Sequence, residues 1–64
     1  MKIHHRFFSP RFEKSAALLI AHPHLSIAEI ASMTGFSSQR YFSTSFKGWK
    51  GISPSEYREK MQSE

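Results

Sequence analysis

A chain of 64 residues forms at most one domain, and a domain of that size buries only about 60% of the surface that its unfolded chain exposes. Because the sequence has no cysteine, neither a disulfide nor a thiolate zinc site can stabilise it, and the core must come from the 39% of hydrophobic residues. No apolar run approaches the roughly 20 residues of a transmembrane helix, and the N-terminus lacks the apolar segment of a signal peptide. We therefore expect a cytoplasmic protein with no membrane partner.

The first predicted helix begins at Ser9 and Pro10. Serine is a favoured N-cap, and proline suits the first helical position because the N–H that it lacks would be unpaired there anyway. Pro23 ends this helix, because the residue before a proline, here His22, is disfavoured in the α region. Apolar residues recur at helical spacing between these points, which predicts one apolar stripe along an amphipathic helix: Phe12, Ala16, Leu19 and Ile20.

The second predicted helix is about two turns long and starts at a capping box. In that motif the Ser26 side chain accepts a hydrogen bond from the Glu29 N–H, and the Glu29 carboxylate accepts one from the Ser26 N–H. Gly35 ends the helix, since glycine readily takes the left-handed conformation that closes many helices. So short a helix is unstable alone, and its apolar residues must pack on a core: Ile27, Ile30 and Ala31.

The third and fourth predicted helices follow without any strand-like alternation between them. Ser37 is the expected N-cap of the third helix, which spans about residues 38–49 and closes at Gly51. Gly48 within it costs roughly 1 kcal/mol relative to alanine, so we expect its last turn to fray or to end early. A second capping box, Ser53–Glu56, starts the fourth helix.

The second and third helices, joined by a tight turn, have the layout of a helix-turn-helix. Gly35 permits the turn, and Phe36 is expected to enter the core with two anchors from the third helix, Phe42 and Phe46. We therefore predict an all-α, homeodomain-like domain of three or four helices. The predicted division of the chain is an N-terminal extension at residues 1–8, the domain at residues 9–60 and a tail at residues 61–64.

The exposed face of the third helix carries side chains suited to DNA. The net charge is +4, and no acid lies between Glu29 and Glu56, a basic pattern that suits phosphates but also serves solubility. In a helix-turn-helix, the second helix enters the major groove and its N-terminal residues contact base edges. Arg40 can bridge O6 and N7 of guanine, and Gln39 can pair with adenine. The predicted DNA-binding residues are Ser37, Ser38, Gln39, Arg40, Ser43, Thr44 and Lys47.

The stretches LSIAEIASMTGFSSQRYFSTSFK and GISPSEYR resemble the C-terminal signature of the AraC/XylS family of bacterial transcriptional regulators. The resemblance covers about residues 10–59 and implies sequence-specific binding to promoter DNA, usually with contact to RNA polymerase. The base-facing positions of the family correspond to Gln39, Arg40, Ser43 and Thr44, and a basic position near the DNA backbone corresponds to Lys47. Its core positions correspond to Ile27, Ile30, Ala31, Phe36, Phe42, Phe46 and Ile52.

The sequence departs from the family in length. DNA-binding regions of the family carry two helix-turn-helix units joined by a long helix, whereas this chain resembles the second unit preceded by the joining helix. Two interpretations stay open. The chain is either a piece of a larger regulator or a half-length protein that must dimerise or bind DNA weakly.

A protein-interaction module is the alternative to a DNA-binding domain. Such a module would pair with a regulator or with RNA polymerase through other exposed groups, such as Arg11 and Lys14, and would tolerate loss of Gln39 and Arg40. A metal site is not expected, because no cysteine or well-placed carboxylate completes a ligand set with the histidines at positions 4, 5, 22 and 24. No Ser–His–carboxylate arrangement or glycine-rich phosphate loop is recognisable, so we predict no cofactor and no enzyme.

Overall fold

Four helices follow one another in the computed structural model, which describes residues 9–62. They are α1 (Pro10–Ala21), α2 (Ile27–Met33), α3 (Gln39–Lys50) and α4 (Pro54–Gln62). Helices α1 and α3 each pack against both α2 and α4. The predicted all-α, homeodomain-like class is confirmed. The predicted extension at residues 1–8 lies outside the described residues, and the boundary at residue 60 stays a prediction, since α4 continues to Gln62.

Local hydrogen bonds start the helices largely as predicted. In the first capping box, the Glu29 N–H donates to Ser26 Oγ at 3.0 Å and the Ser26 N–H donates to Glu29 Oε1 at 2.8 Å. The second box repeats this pattern, with distances of 3.2 Å to Ser53 Oγ and 3.1 Å to Glu56 Oε1. Ser9 occupies the N-cap of α1, but its side chain makes no capping hydrogen bond.

The start of α3 differs from the prediction by one residue. Ser38, rather than Ser37, is the N-cap, and its Oγ accepts a hydrogen bond from the Tyr41 N–H at 3.0 Å. Two successive serines offer the same capping chemistry. With Ser38 as the N-cap, the N–H of the buried Phe42 donates to the Ser38 carbonyl at 3.0 Å as the first hydrogen bond of the helix.

The expectation that α3 frays or ends early at Gly48 is wrong. The helix continues to Lys50, and Gly51 closes it in the left-handed conformation, with φ of 95° and an N–H that donates to the Lys47 carbonyl at 2.7 Å. Trp49 explains the continuation, because its ring stacks on Phe12 at a centroid distance of 5.2 Å. Packing of that large ring therefore outweighs the low helix propensity of the glycine beside it.

An aromatic cluster forms most of the core. Phe46 is fully buried, and its ring centroid lies 5.6 Å from that of Phe42, 5.4 Å from Trp49 and 5.5 Å from Tyr57. The buried hydrophobic residues are Ala16, Leu19, Ile30, Ala31, Phe36, Phe42 and Phe46. Of the residues expected in the core, Ile27 and Ile52 are only half-buried, because Ile27 begins α2 at the surface and Ile52 lies between α3 and α4.

The turn between α2 and α3 is held by backbone hydrogen bonds. The Phe36 N–H donates to the Ala31 carbonyl at 2.9 Å, and the Gly35 N–H donates to the Ser32 carbonyl at 3.2 Å. Together with φ of 86° at Gly35, this is the Schellman arrangement that closes many helices. The turn thereby directs Phe36 into the core and sets the angle at which α3 leaves α2.

Arg11 braces this turn from α1. Its guanidinium donates to the Gly35 carbonyl at 3.0 Å and lies 4.5 Å from the centre of the Phe36 ring. A hydrogen bond and a cation–π contact to neighbouring residues restrict the turn from outside the helix-turn-helix itself. The start of α1 therefore contributes to the position of α3.

Replacement of Phe42 by alanine should destabilise the domain. The side chain is fully buried, so we expect a loss of about 3–5 kcal/mol in the free energy of unfolding, which is a large part of the total for a small domain. Urea unfolding monitored by circular dichroism measures it. Thr44→Ala, at an exposed position of the same helix, should change the free energy by less than about 0.5 kcal/mol. A loss below about 1 kcal/mol for Phe42→Ala would contradict this description of the core.

The second capping box should make stability depend on acidic pH. The Ser53 backbone N–H, then the Ser53 hydroxyl, and to a smaller extent Lys47 lower the pKa of the Glu56 carboxyl from its ordinary value. Because the folded-state pKa is lowered, this contribution is present above the ordinary pKa and is lost as pH falls through the lowered one.

Glu56→Gln should therefore remove that part of the pH dependence, so that wild type and variant converge in stability as the solution is acidified. Thermal unfolding across a series from neutral to strongly acidic pH measures the difference. Ser55→Ala, in the same first turn but outside the capping box, should keep the wild-type profile. Parallel profiles for wild type and Glu56→Gln would show that this carboxylate adds no pH-dependent stability.

Candidate nucleic-acid interface

The residues predicted to bind DNA lie on α3 and on the short segment before it. Six are exposed: Ser37, Ser38, Gln39, Arg40, Thr44 and Lys47. Ser43 is half-buried, because it lies one residue after the fully buried Phe42 on the flank of the helix. The structure therefore brings the predicted set together along one helix, with one member partly covered.

Helical geometry separates these residues from the anchors of α3. Arg40, Thr44 and Lys47 follow one another at spacings of four and three residues, so they form one stripe, which we call the outer face of α3. At about 100° per residue, the centre of this stripe lies about 150° around the helix from Phe42 and Phe46. The two buried rings therefore hold one side of α3 while the outer face stays accessible.

Arg40 is available for an external partner. It is exposed, and none of the hydrogen bonds, ion pairs or ring contacts within residues 9–62 involves it. Its position in the first turn of α3 also places it next to the end of the helix that a helix-turn-helix presents to base edges. Ser38, by contrast, already uses its oxygen to cap Tyr41, so only its hydroxyl hydrogen is left to donate.

Several other cations serve the fold. Arg58 donates from Nε to the Leu19 carbonyl at 3.0 Å and from Nη2 to the His22 carbonyl at 3.3 Å. These acceptors lie at the C-terminal end of α1, where helix carbonyls lack intrahelical donors. Arg58 thus joins α4 to the end of α1 and takes no part in the outer face of α3.

Lys50 also turns away from the expected basic surface. Its ammonium lies 5.1 Å from the centre of the Trp49 ring and 5.5 Å from that of Tyr57. The basic side chains between Glu29 and Glu56 therefore do not all lie on one surface of the folded domain. Within the described part of α3, Arg40 and Lys47 are the positive side chains on the outer face, and Lys50 packs over aromatic rings.

Lys47 lies near the beginning of α4. Its positive charge contributes to the lowered pKa of the Glu56 carboxyl, although hydrogen bonds from Ser53 contribute more. An exposed cation of this kind, one turn or more beyond Arg40, suits a phosphate better than a base edge. The outer face thus has an exposed positive side chain at each end, Arg40 and Lys47.

Sequence reasoning missed the structural roles of Arg11 and Arg58. Under the alternative of a protein-interaction module, Arg11 was one of the candidate contacts for a partner, but it is engaged with Gly35 and Phe36. The partners of these arginines are 24 and 39 residues away in the chain, so no local spacing could have indicated them. Tyr41 is 51% exposed on α3, although its ring also lies 5.8 Å from that of Phe36.

The described residues form neither a metal-binding cluster nor a membrane-spanning helix. No group of three or more histidine, aspartate or glutamate side chains there is arranged to hold a metal ion, while His4 and His5 lie outside the described part. No helix within residues 9–62 is long and apolar enough to cross a membrane. A shallow, open cavity lies between the beginning of α2 and α4, lined by Ile27, Ser55, Arg58, Glu59 and Gln62.

Comparison with known proteins identifies the family. A family model described as a helix-turn-helix domain matches residues 5–60. The Msm operon regulatory protein of Streptococcus mutans serotype c is 45% identical over 49 residues, which cover 77% of this chain and 18% of that protein. The chain thus spans less than a fifth of the length of this relative. No solved structure matches the chain significantly. The chain belongs to the AraC-type helix-turn-helix family of DNA-binding transcription regulators, as the resemblance of its sequence predicted.

Proposed function

We propose that this domain binds bacterial promoter DNA in a sequence-specific manner in the cytoplasm, with α3 in the major groove. The observation that carries the proposal is the outer face of α3, where the exposed Arg40 has no partner among residues 9–62. The anchors Phe42 and Phe46 on the other side of the helix are fully buried. A rigid helix loses little conformational freedom on binding, so its side chains are well suited to discriminate between base pairs.

The length and the chemistry of each predicted DNA-binding side chain suit it either to bases or to phosphates. Arg40 would donate two hydrogen bonds to O6 and N7 of a guanine, and Gln39 would pair with N6 and N7 of an adenine. Thr44 and the half-buried Ser43 are short, so they suit close contacts to a base or to a thymine methyl group. Ser37, Ser38 and Lys47 would contact phosphates and fix the register of the helix along the groove.

The electrostatic contribution of this surface is small. If Lys47 neutralises about one phosphate while Arg40 contacts a base, the logarithm of the binding constant should fall with the logarithm of salt concentration with a slope near −0.9. Lys50 adds little, because it packs over Trp49 and Tyr57. One copy of this domain should therefore bind DNA weakly by itself.

A second DNA-binding unit would raise the weak affinity that one copy of this domain has for DNA. Linking two modules that can bind together strengthens binding by roughly a hundredfold or more, without any new type of contact. We propose that this unit is either a further part of a longer chain or a second copy of the domain. The short span of the match within the Streptococcus mutans regulator, 18% of its length, supports the former. Contact with RNA polymerase is a further proposal that rests on the family resemblance alone.

Substitutions on the outer face of α3 should separate base recognition from phosphate binding. Arg40→Ala should cost about 1–3 kcal/mol on a preferred site and relax the preference at one base pair, because a bidentate contact to guanine is lost. Lys47→Ala should weaken binding to all sequences about equally and reduce the steepness of the salt dependence by about one unit of slope. Selection from a randomised duplex pool, followed by fluorescence anisotropy at several salt concentrations, measures both effects.

Lys14→Ala is the matched control, because it removes an exposed positive charge from α1 and leaves α3 intact. It should keep both the selected sequence and the salt slope close to those of the wild type. If Arg40→Ala selects the same sequences as the wild type with the same stringency, the role proposed for this arginine is wrong.

A further inference from the structure

Gly48 is an unfavourable residue for its position. It lies inside α3, two residues before the helix ends at Lys50, and glycine is among the weakest helix formers. Glycine is often selected for a positive φ, but within the described residues the glycines with positive φ are Gly35 and Gly51. The backbone conformation of the helix therefore does not require glycine at position 48.

Packing within the domain does not require it either. A Cβ atom built on Gly48 meets no atom within 4 Å, apart from the immediate backbone of its own helix. At Gly35, for comparison, the same atom would lie 3.7 Å from the Arg11 side chain. The space beside Gly48 is open to solvent, so the described part of the domain offers no reason to exclude a side chain there.

The position of Gly48 relates it to the outer face of α3. It comes four residues after Thr44, so it extends the Thr44 side of that face towards the C-terminal end of the helix, about 100° around the helix from Lys47. It is exposed, as are both of these residues. A molecule that contacts Arg40, Thr44 and Lys47 would next meet the bare helix backbone at residue 48.

The dimensions of DNA indicate which part of a duplex would lie next to residue 48. Helix α3 has 12 residues and is therefore about 18 Å long, whereas the major groove is about 12 Å wide. If Gln39 and Arg40 contact base edges, the last turn of the helix extends to the edge of the groove. The sugar–phosphate backbone of one strand forms that edge, and Lys47 lies beside it.

We propose that Gly48 is a close-approach point for a sugar–phosphate backbone, where the absence of a side chain lets the DNA strand contact the helix main chain. Glycine commonly has this use where a backbone must come close to a ligand. The contact would be a van der Waals one to Cα, because backbone N–H groups inside a helix are already bonded. Lys47 would pair with the adjacent phosphate. This proposal rests on the proposed DNA-binding function and adds a residue that determines how deeply α3 enters the groove.

Gly48→Ala should have opposite effects on stability and on binding. Alanine is the better helix former and its methyl group meets open space, so the melting temperature should rise by about 4–8 °C. Affinity should fall at least threefold, both for a 24-base-pair duplex of selected sequence and for an unrelated duplex of the same length, because the added methyl group displaces the strand. Gly48→Val should reduce both affinities at least tenfold, since a side chain branched at Cβ cannot rotate away.

Ala17→Gly is the matched control, at an exposed position of α1. It should lower the melting temperature and leave both affinities unchanged, which separates stability from binding. If Gly48→Ala raises the melting temperature but binds both duplexes as tightly as the wild type, the close-approach role is overturned while DNA binding stands. A wild-type chain that binds neither duplex at low salt would overturn both proposals.

Discussion

Burial of Phe46 is the interaction on which the rest of the domain depends. Its ring lies within 6.3 Å, between centroids, of Phe12 from α1, Trp49 from α3 and Tyr57 from α4. Aromatic pairs contribute about 0.5–1.5 kcal/mol beyond the area that they bury, and several such pairs converge on this residue. A domain of 64 residues without disulfides has few other sources of stability. The same contacts that stabilise the fold therefore determine the orientation of α3.

The basic residues of this protein fall into two groups, those that make contacts within the domain and those that stay exposed on the outer face of α3. Arg11 holds the turn before α3, Arg58 joins α4 to the end of α1, and Lys50 lies over two aromatic rings. Arg40 and Lys47 remain on the outer face of the described helix α3. Net charge alone would have assigned all of these residues to one basic surface. Their contacts show that a basic composition in a small domain can reflect structural arginines as much as affinity for phosphate.

The C-terminal end of α3 contains one residue that stabilises the fold, Trp49, next to one that we propose contacts DNA, Gly48. Trp49 packs on Phe12 and Phe46 and so holds the last turn in helical form. Gly48 beside it weakens the same turn, without any compensating contact among residues 9–62. Small proteins commonly retain such locally unfavourable residues where function requires them, and strong packing nearby makes them tolerable. Trp49 thus keeps the last turn of α3 rigid, while Gly48 leaves its main chain accessible. This combination suits a helix that a partner approaches closely.

The sequence by itself determined those features that depend on neighbours in the chain. Both capping boxes, the left-handed closures at Gly35 and Gly51, and the burial of Phe42 and Phe46 could be predicted, because their hydrogen bonds and spacings fall within a few residues. The family resemblance came from the same local motifs. Only the tertiary structure decided that α3 continues through Gly48 and that three basic side chains, Arg11, Lys50 and Arg58, contact groups of the domain itself. Those outcomes depend on partners brought together by folding of the whole domain, and no local pattern encodes such distances.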